Sequence, residues 1–159
     1  MEELAKALGE RLMAAGAVLV TAESCTGGWA AQVVTSVPGS SAWFERGFVT
    51  YSNAAKQECL GVRAETLARY GAVSEETARE MALGALQRSQ GSIALAVTGV
   101  AGPGGGSPGK PVGTVCFAWA RTTGLLRSEQ IRFSGDRESV RRQSVMRALQ
   151  GILEALEGG

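Results

Sequence analysis

The chain carries 159 residues, with 16 lysines plus arginines against 15 aspartates plus glutamates, a formal net charge of +1, and no histidine. That length suits one domain around one core, since domains commonly hold about 100 to 150 residues, and so even a charge balance excludes nucleic acid or an anionic membrane as a partner recruited by charge alone. Cys25, Cys59 and Cys116 are odd in number and far apart, which argues against a disulfide framework or a thiolate metal site, and with no histidine neither a metal nor another cofactor is expected.

The start, "MEELAKALGERLMAAG", shows acids and a helical period where an export signal would show a basic segment and an apolar core. No apolar run approaches the ~18 residues of a membrane span, so a cytoplasmic protein is expected. Leu4, Leu8 and Leu12 recur at helical spacing and Gly16 supplies a left-handed stop, which predicts a helix over Glu2–Ala15. "AVLVTA" (17–22) predicts a strand, "WAAQVVTSV" (29–37) a helix ended by Pro38 and Gly39, and "RGFVTYS" (46–52) a second strand. Asn53 is expected to cap a short helix that Gly61 closes, and "RAETLARYG" (63–71) predicts another.

Ser74, followed by Glu75 and Glu76, opens a longer helix with Ala78, Met81, Ala82, Ala85 and Leu86 on one face. "SIALAVTG" (92–99) is apolar throughout, as a strand covered on both sides must be. A glycine-rich loop leads from it to "VGTVCFAWA" (112–120) and "LLRSEQIRF" (125–133), which fit a hairpin around "RTTG". Asp136 then caps a last helix with Val140, Ala148, Leu149, Ile152, Leu153 and Leu156 turned inward. Helices and strands alternate early and strands cluster late, so the expected fold is α/β: a single-domain three-layer α/β/α sandwich with a mixed sheet.

In such sheets the ligand crevice lies beyond the carboxyl ends of the strands. Three segments qualify: Glu23-Ser24-Cys25-Thr26-Gly27-Gly28, Tyr51-Ser52-Asn53 with Lys56 one turn later, and Thr98-Gly99 with the loop that follows. A serine at a strand-to-helix turn can present its hydroxyl to a crevice while the amides that begin the helix hold an oxyanion. Equally, Ser24 and Thr26 can simply cap that helix while the glycines permit the turn. Without histidine, a base for Ser24 or Cys25 must be a lysine, a carboxylate or a tyrosine.

Of the three lysines, Lys6 belongs to the first helix and Lys110 to the glycine loop, whereas Lys56 leaves the second strand toward the same crevice as Ser24. To act as a base, Lys56 must be neutral, which asks its site to lower a pKa of ~10.4 to near 7, a differential of about 4 to 5 kcal/mol. The other reading is a charged surface lysine. Glu23 can orient Lys56 or the substrate, or can accept from backbone N–H groups; an ionised carboxylate against Lys56 would work against a free amine. The loop "GVAGPGGGSPGKPVGT" holds six glycines before Lys110 and lacks the spacing of a P-loop, so it is either a wrap for phosphate or ribose or a plain surface loop. Arg137, Arg141 and Arg142 open the last helix, where a guanidinium fork suits a phosphate monoester and an exposed basic face is the commoner use.

Five stretches, "TAESCTGGW", "GSSAWFERGFVTYSNAAKQ", "GAVSEETAREMA", "TGVAGPGGGS" and "KPVGTVCFAWA", occur in an order that resembles the carboxyl-terminal domain family of the competence/damage-inducible protein CinA, over roughly residues 5–150. The resemblance implies hydrolysis of the carboxamide of nicotinamide mononucleotide to nicotinate mononucleotide and ammonia, in pyridine-nucleotide salvage, by a homo-oligomer. It maps the nucleophile onto Ser24 and the base onto Lys56. The backbone of Cys25, Thr26, Gly27 and Gly28 would hold the oxyanion. Tyr51, Asn53 and Glu23 would position the reacting groups; Thr98, Gly99, Gly102 and Gly105 would meet ribose or phosphate, and Arg141 or Arg142 the phosphate. Many family loops place an aspartate where this chain has Gly104, and larger members add an amino-terminal nucleotide-processing domain for which 159 residues leave no room. The competing expectations are a non-catalytic nucleotide-binding module and an interaction module linked to competence or DNA damage.

Overall fold

The computed structural model describes residues 1–158 and strings its elements in the order α1 (Glu2–Ala15), β1 (Leu19–Glu23), α2 (Trp29–Thr35), a 3-10 turn (Ser40–Ala42), β2 (Phe44–Val49), α3 (Asn53–Leu60), α4 (Ala64–Tyr70), α5 (Glu75–Gln87), β3 (Ile93–Gly99), β4 (Thr114–Arg121), β5 (Leu126–Arg132) and α6 (Arg137–Glu157). The strands form one sheet in the order β2-β1-β3-β4-β5. β1 pairs in parallel with both β2 and β3, while β3–β4 and β4–β5 are antiparallel. The sheet is therefore mixed, and helices cover both of its faces as expected.

Alternation along the strands sorts the side chains into two unlike layers. Leu19, Ile93, Leu95, Val97, Phe117 and Trp119 pack toward α1, α2 and α6. On the other face Ala22, Ala94, Ala96, Ala118 and Ala120 meet the alanines of α5. Bulky residues fill the first layer, whereas alanines in the second let a helix lie close on the sheet. Trp119 is the largest fully buried side chain; its indole N–H donates to the Ala148 carbonyl at 2.9 Å, and Gly151 leaves room for its ring, since a Cβ there would fall 1.9 Å from it.

Boundaries shift where backbone pairing decides them. β1 runs to Glu23, because that residue still pairs with Val49 and Val97. β2 starts at Phe44 and stops at Val49, not at 46 and 52: Phe44 pairs with Leu19, and past Val49 the Thr50 N–H turns in to the Glu23 carbonyl. α2 ends at Thr35, and Ser40–Ala42 adds a turn that no sequence period announced. The cap of α3 is Ser52, whose hydroxyl accepts from the Ala55 N–H, so Asn53 is the first helical residue. Ser74 and Asp136 cap α5 and α6 as expected. Leu4, Leu86, Leu153 and Leu156 are half-buried, and Val145 joins the inner face of α6. Among the described residues, no helix is long and apolar enough to cross a membrane.

Candidate active site

Because β1, β2 and β3 run parallel, their carboxyl ends reach the same edge of the sheet and deliver Ser24, the Thr50–Tyr51 segment and Gly99 to one place. The period of two continues through the end of β1. Glu23 turns to the α2 side and Ser24 to the α3 side, where Lys56 waits on the first turn of that helix. Lys56 Nζ lies 2.9 Å from Ser24 Oγ and donates to the Thr50 carbonyl at 2.8 Å. Lys56 is 1% exposed and Ser24 7%.

Burial pushes the Lys56 amine below its ordinary range, opposed by the neighbouring Cys25 thiol. That opposition requires a thiolate. Burial pushes Cys25 up to about 12, so at neutral pH it is an uncharged thiol and a poor nucleophile.

A cavity of about 280 Å³ opens over the pair. One wall is Ser24, Cys25 and Lys56, another is Ala72, Val73 and Thr98, and the glycine loop from Gly99 to Gly105 forms the third. Tyr51 and Arg137 stand at its mouth; Arg137 donates to the Tyr51 hydroxyl at 3.1 Å and to the Gly102 carbonyl at 2.8 Å. The Thr98 hydroxyl donates to the Ala72 carbonyl at 2.9 Å, and Lys110 Nζ to the Val73 carbonyl, so two tethers hold the β3 end and the glycine loop against the segment between α4 and α5. Gly102 and Gly105 have φ of 90° and 89°, a region that disfavours any side chain. A larger depression of about 440 Å³ between α4, α5 and Leu126 is lined mainly by arginine and glutamate side chains and lies away from Ser24 and Lys56; in it the Thr66 hydroxyl donates to Glu80 at 2.5 Å.

Several expected residues take other places. Glu23 is fully buried and faces neither Lys56 nor the cavity: its oxygens accept from the Thr26 hydroxyl (2.6 Å) and the N–H groups of Ala30 (2.8 Å) and Ala31 (3.0 Å). The Gly27 N–H is taken by the Ser24 carbonyl at 3.0 Å, leaving Cys25, Thr26 and Gly28 as the amides of that turn without an acceptor among the described residues. Asn53 is exposed and its carbonyl accepts from Gln57. Arg141 points its fork at the Cys25 and Thr26 carbonyls, and Arg142 pairs with Glu138; neither lines the cavity. The residues that side-chain chemistry left unmarked are Thr50, Ala72 and Val73, which contribute backbone carbonyls. Arg137 was one of three arginines with no sequence signal to separate it, and its place at the first residue of α6 is what brings it to the mouth.

The model of the CinA C-terminal domain matches residues 1–156. The nicotinamide-nucleotide amidohydrolase PncC of Escherichia coli (strain K12) is 56% identical over 150 residues, covering 94% of this chain and 91% of that protein. The protein of the same name from Pseudomonas putida is 54% identical over 151 residues, covering 95% and 94%. Among solved structures, the competence/damage inducible protein CihA from Agrobacterium tumefaciens superposes with a TM-score of 0.94 at 48% identity, covering 98% of this chain and 94% of that one. Matched by the family model almost from end to end, and aligned at this identity over nearly the full length of such relatives, the chain belongs to the CinA C-terminal domain family.

Proposed function

We propose that the protein is a nicotinamide-nucleotide amidohydrolase, converting nicotinamide mononucleotide and water to nicotinate mononucleotide and ammonia within pyridine-nucleotide salvage, with Ser24 as nucleophile and Lys56 as base. The observation that carries this reading is the buried 2.9 Å contact between Lys56 Nζ and Ser24 Oγ inside a small-molecule cavity. The names of the relatives supply the substrate class. The cavity, near the ~300 Å³ lower end of small-molecule sites, suits a mononucleotide better than a dinucleotide.

A neutral amine has two N–H donors and one lone pair. One N–H is held by the Thr50 carbonyl, which leaves the lone pair to accept the Ser24 proton as Oγ attacks the carboxamide carbon. The negative charge on the former carbonyl oxygen is met by the N–H groups of Cys25 and Thr26. Lys56 passes the proton to the departing nitrogen, the C–N bond breaks, and ammonia leaves a nicotinoyl ester on Ser24. The same amine then takes a proton from water, whose oxygen attacks the ester carbon, and returns it to Ser24. Arg137 and the amides of the glycine loop around Gly104 and Gly105 receive the phosphate at the mouth.

Ammonia release is measured with nicotinamide mononucleotide, free nicotinamide and the dinucleotide, using wild type, Ser24→Ala and Lys56→Ala. Turnover confined to the mononucleotide and lost in both variants is expected. Equal rates across the three substrates would remove the mononucleotide assignment, and an unchanged Lys56→Ala rate would remove the base.

A further inference from the structure

Arg141 is a half-buried cation that the reaction, as drawn, does not use. It sits on the second turn of α6 directly after the fully buried Val140, in a helix anchored in the core. Its Nε donates to the Cys25 carbonyl at 3.0 Å and its Nη2 to the Thr26 carbonyl at 3.1 Å. The guanidinium lies over the Trp29 ring at 5.4 Å, and a Cβ on Gly27 would come within 3.4 Å of Nη2. Its fork is thus spent on the turn that follows the nucleophile, with no share in the cavity wall.

We propose that Arg141 is a positioning residue for the hydrolysis: by holding the Cys25 carbonyl its fork sets the Cys25–Thr26 peptide plane, and so keeps the Thr26 amide aimed to receive the oxyanion, while its second N–H braces the Thr26 carbonyl that also accepts from the Trp29 N–H at 2.9 Å. This rests on Ser24 being the nucleophile. A peptide is planar and trans, so the carbonyl of Cys25 and the N–H of Thr26 share one plane and point opposite ways. Fixing the carbonyl fixes the amide. A rotation of that plane would bring a carbonyl dipole, negative end first, to where the oxyanion forms, and Arg141 opposes it with a charge-assisted hydrogen bond. A donor on the carbonyl also polarises the peptide and strengthens its own N–H as a donor. Glu23 holds the same turn from the opposite direction through the Thr26 hydroxyl and the first amides of α2. Residues 24–31 are therefore gripped by a carboxylate from β1 and a guanidinium from α6.

The test compares wild type, Arg141→Met, Arg141→Lys and Arg137→Met. The readouts are kcat and KM for ammonia release from nicotinamide mononucleotide, the thermal midpoint, and the rate at which p-nitrophenyl acetate acylates Ser24, followed by intact mass. The ester needs the nucleophile and the oxyanion donors but no nucleotide contact. Arg141→Met is expected to lower kcat about ten- to a hundredfold, a part of the 10²–10³ that a whole oxyanion donor is worth, with KM within about twofold and ester acylation slowed alike. Arg141→Lys, able to hold one carbonyl of the two, is expected to fall between. Arg137→Met is expected to show the opposite split, a raised KM. If Arg141→Met keeps kcat and raises KM, Arg141 is a phosphate ligand and the inference is wrong; if it keeps both and only lowers the midpoint, the contact is structural and the inference is equally wrong. Wild type that is acylated by the ester yet releases no ammonia removes the substrate reading alone, and the ester rates still decide Arg141. Wild type inert to both removes the nucleophile and this inference with it.

Discussion

A single methyl group placed on Gly84, outside the cavity, should weaken catalysis through helix packing. Gly84 lies on α5 where that helix crosses the end of α3, and a Cβ there would fall 1.8 Å from the Leu60 carbonyl oxygen. The obstacle is backbone, so no rotamer relieves it; to reach even 3.0 Å, the end of α3 must withdraw by more than an ångström. α3 has eight residues, is pinned at one end by the Ser52 cap and at the other by the Gly61 and Val62 amides, and carries Lys56 one turn before Leu60. It moves as a unit and takes the amine with it. Overpacking costs about 1 to 3 kcal/mol, and a rigid backbone obstacle puts this site at the upper end, about 2 to 3 kcal/mol; offset by the ~1 kcal/mol that alanine gains over glycine within a helix, this leaves a net loss of roughly 1 to 2 kcal/mol and a midpoint lower by about 2 to 8 °C in a chain of this size. An ångström of misplacement can cost about a hundredfold in rate. Thermal melts and ammonia release at 25 °C, where Gly84→Ala stays folded, read the two effects separately. A lower midpoint with wild-type kcat would refute the transmission from Leu60 to Lys56, and an unchanged midpoint would refute the close approach itself.

The depressed Lys56 amine predicts an acid limb: kcat/KM rises with pH as the amine loses its proton and levels off below the ~10.4 of an ordinary lysine. A rate that climbs only through ~10.4 would refute a neutral amine near pH 7. The same shift predicts that stability rises with pH between the folded and unfolded values, since the unfolded chain there binds the extra proton, and that below the folded value the burden is present in full. Urea titrations at pH 7 and pH 10 should show wild type gaining on Lys56→Met at the higher pH, and parallel behaviour of the two would refute it. Glu23→Gln turns an NH₂ group toward partners that are themselves donors, and is expected to lower stability by about 1 to 3 kcal/mol in urea titration; a neutral result would show that the turn does not depend on the carboxylate. Gly104→Asp meets nothing within 4 Å and stands outside the left-handed region, so its midpoint should match wild type, and a drop of several degrees would contradict the open space.

Local chemistry was legible where side-chain type decides the outcome. Ser24 at the end of an apolar run, followed by paired glycines, marked a strand-end turn, and a chain without histidine left few candidates for a base. Lys56 could be placed because the distance from Val49 to α3 is short and helical period sets its direction. What side-chain type cannot reveal is backbone: the Thr50 carbonyl that receives Lys56, and the Ala72 and Val73 carbonyls that tether Thr98 and Lys110, look like any others in the sequence. Nor can it rank three arginines on one helix. Arg137, Arg141 and Arg142 differ only in the direction each leaves α6, and that direction depends on how α6 lies on the sheet, a sum of contacts from Val140 to Ala155. The ends of β1 and β2 depend likewise on their register with each other.

On the mechanism proposed above, the placement of Glu23 bears on why a lysine would serve where a histidine would be usual. A carboxylate is the strongest acceptor at hand, and set against Lys56 it would hold the ammonium form and fill the lone pair with a proton. Alternation along β1 instead sends Glu23 to the opposite side of the strand, where the Thr26 hydroxyl and the start of α2 occupy its oxygens. Lys56 is left with a neutral partner, the Thr50 carbonyl, which orients the amine through one N–H without favouring its charge as a carboxylate would. The neighbouring thiol stays protonated for the same reason of burial. Desolvation therefore meets no carboxylate counter-charge, and it pushes the fixed amine below its ordinary range, as the proposed base requires. One residue of slip in the register of β1 would exchange the two sides, bringing the acid to the amine and turning the alcohol away.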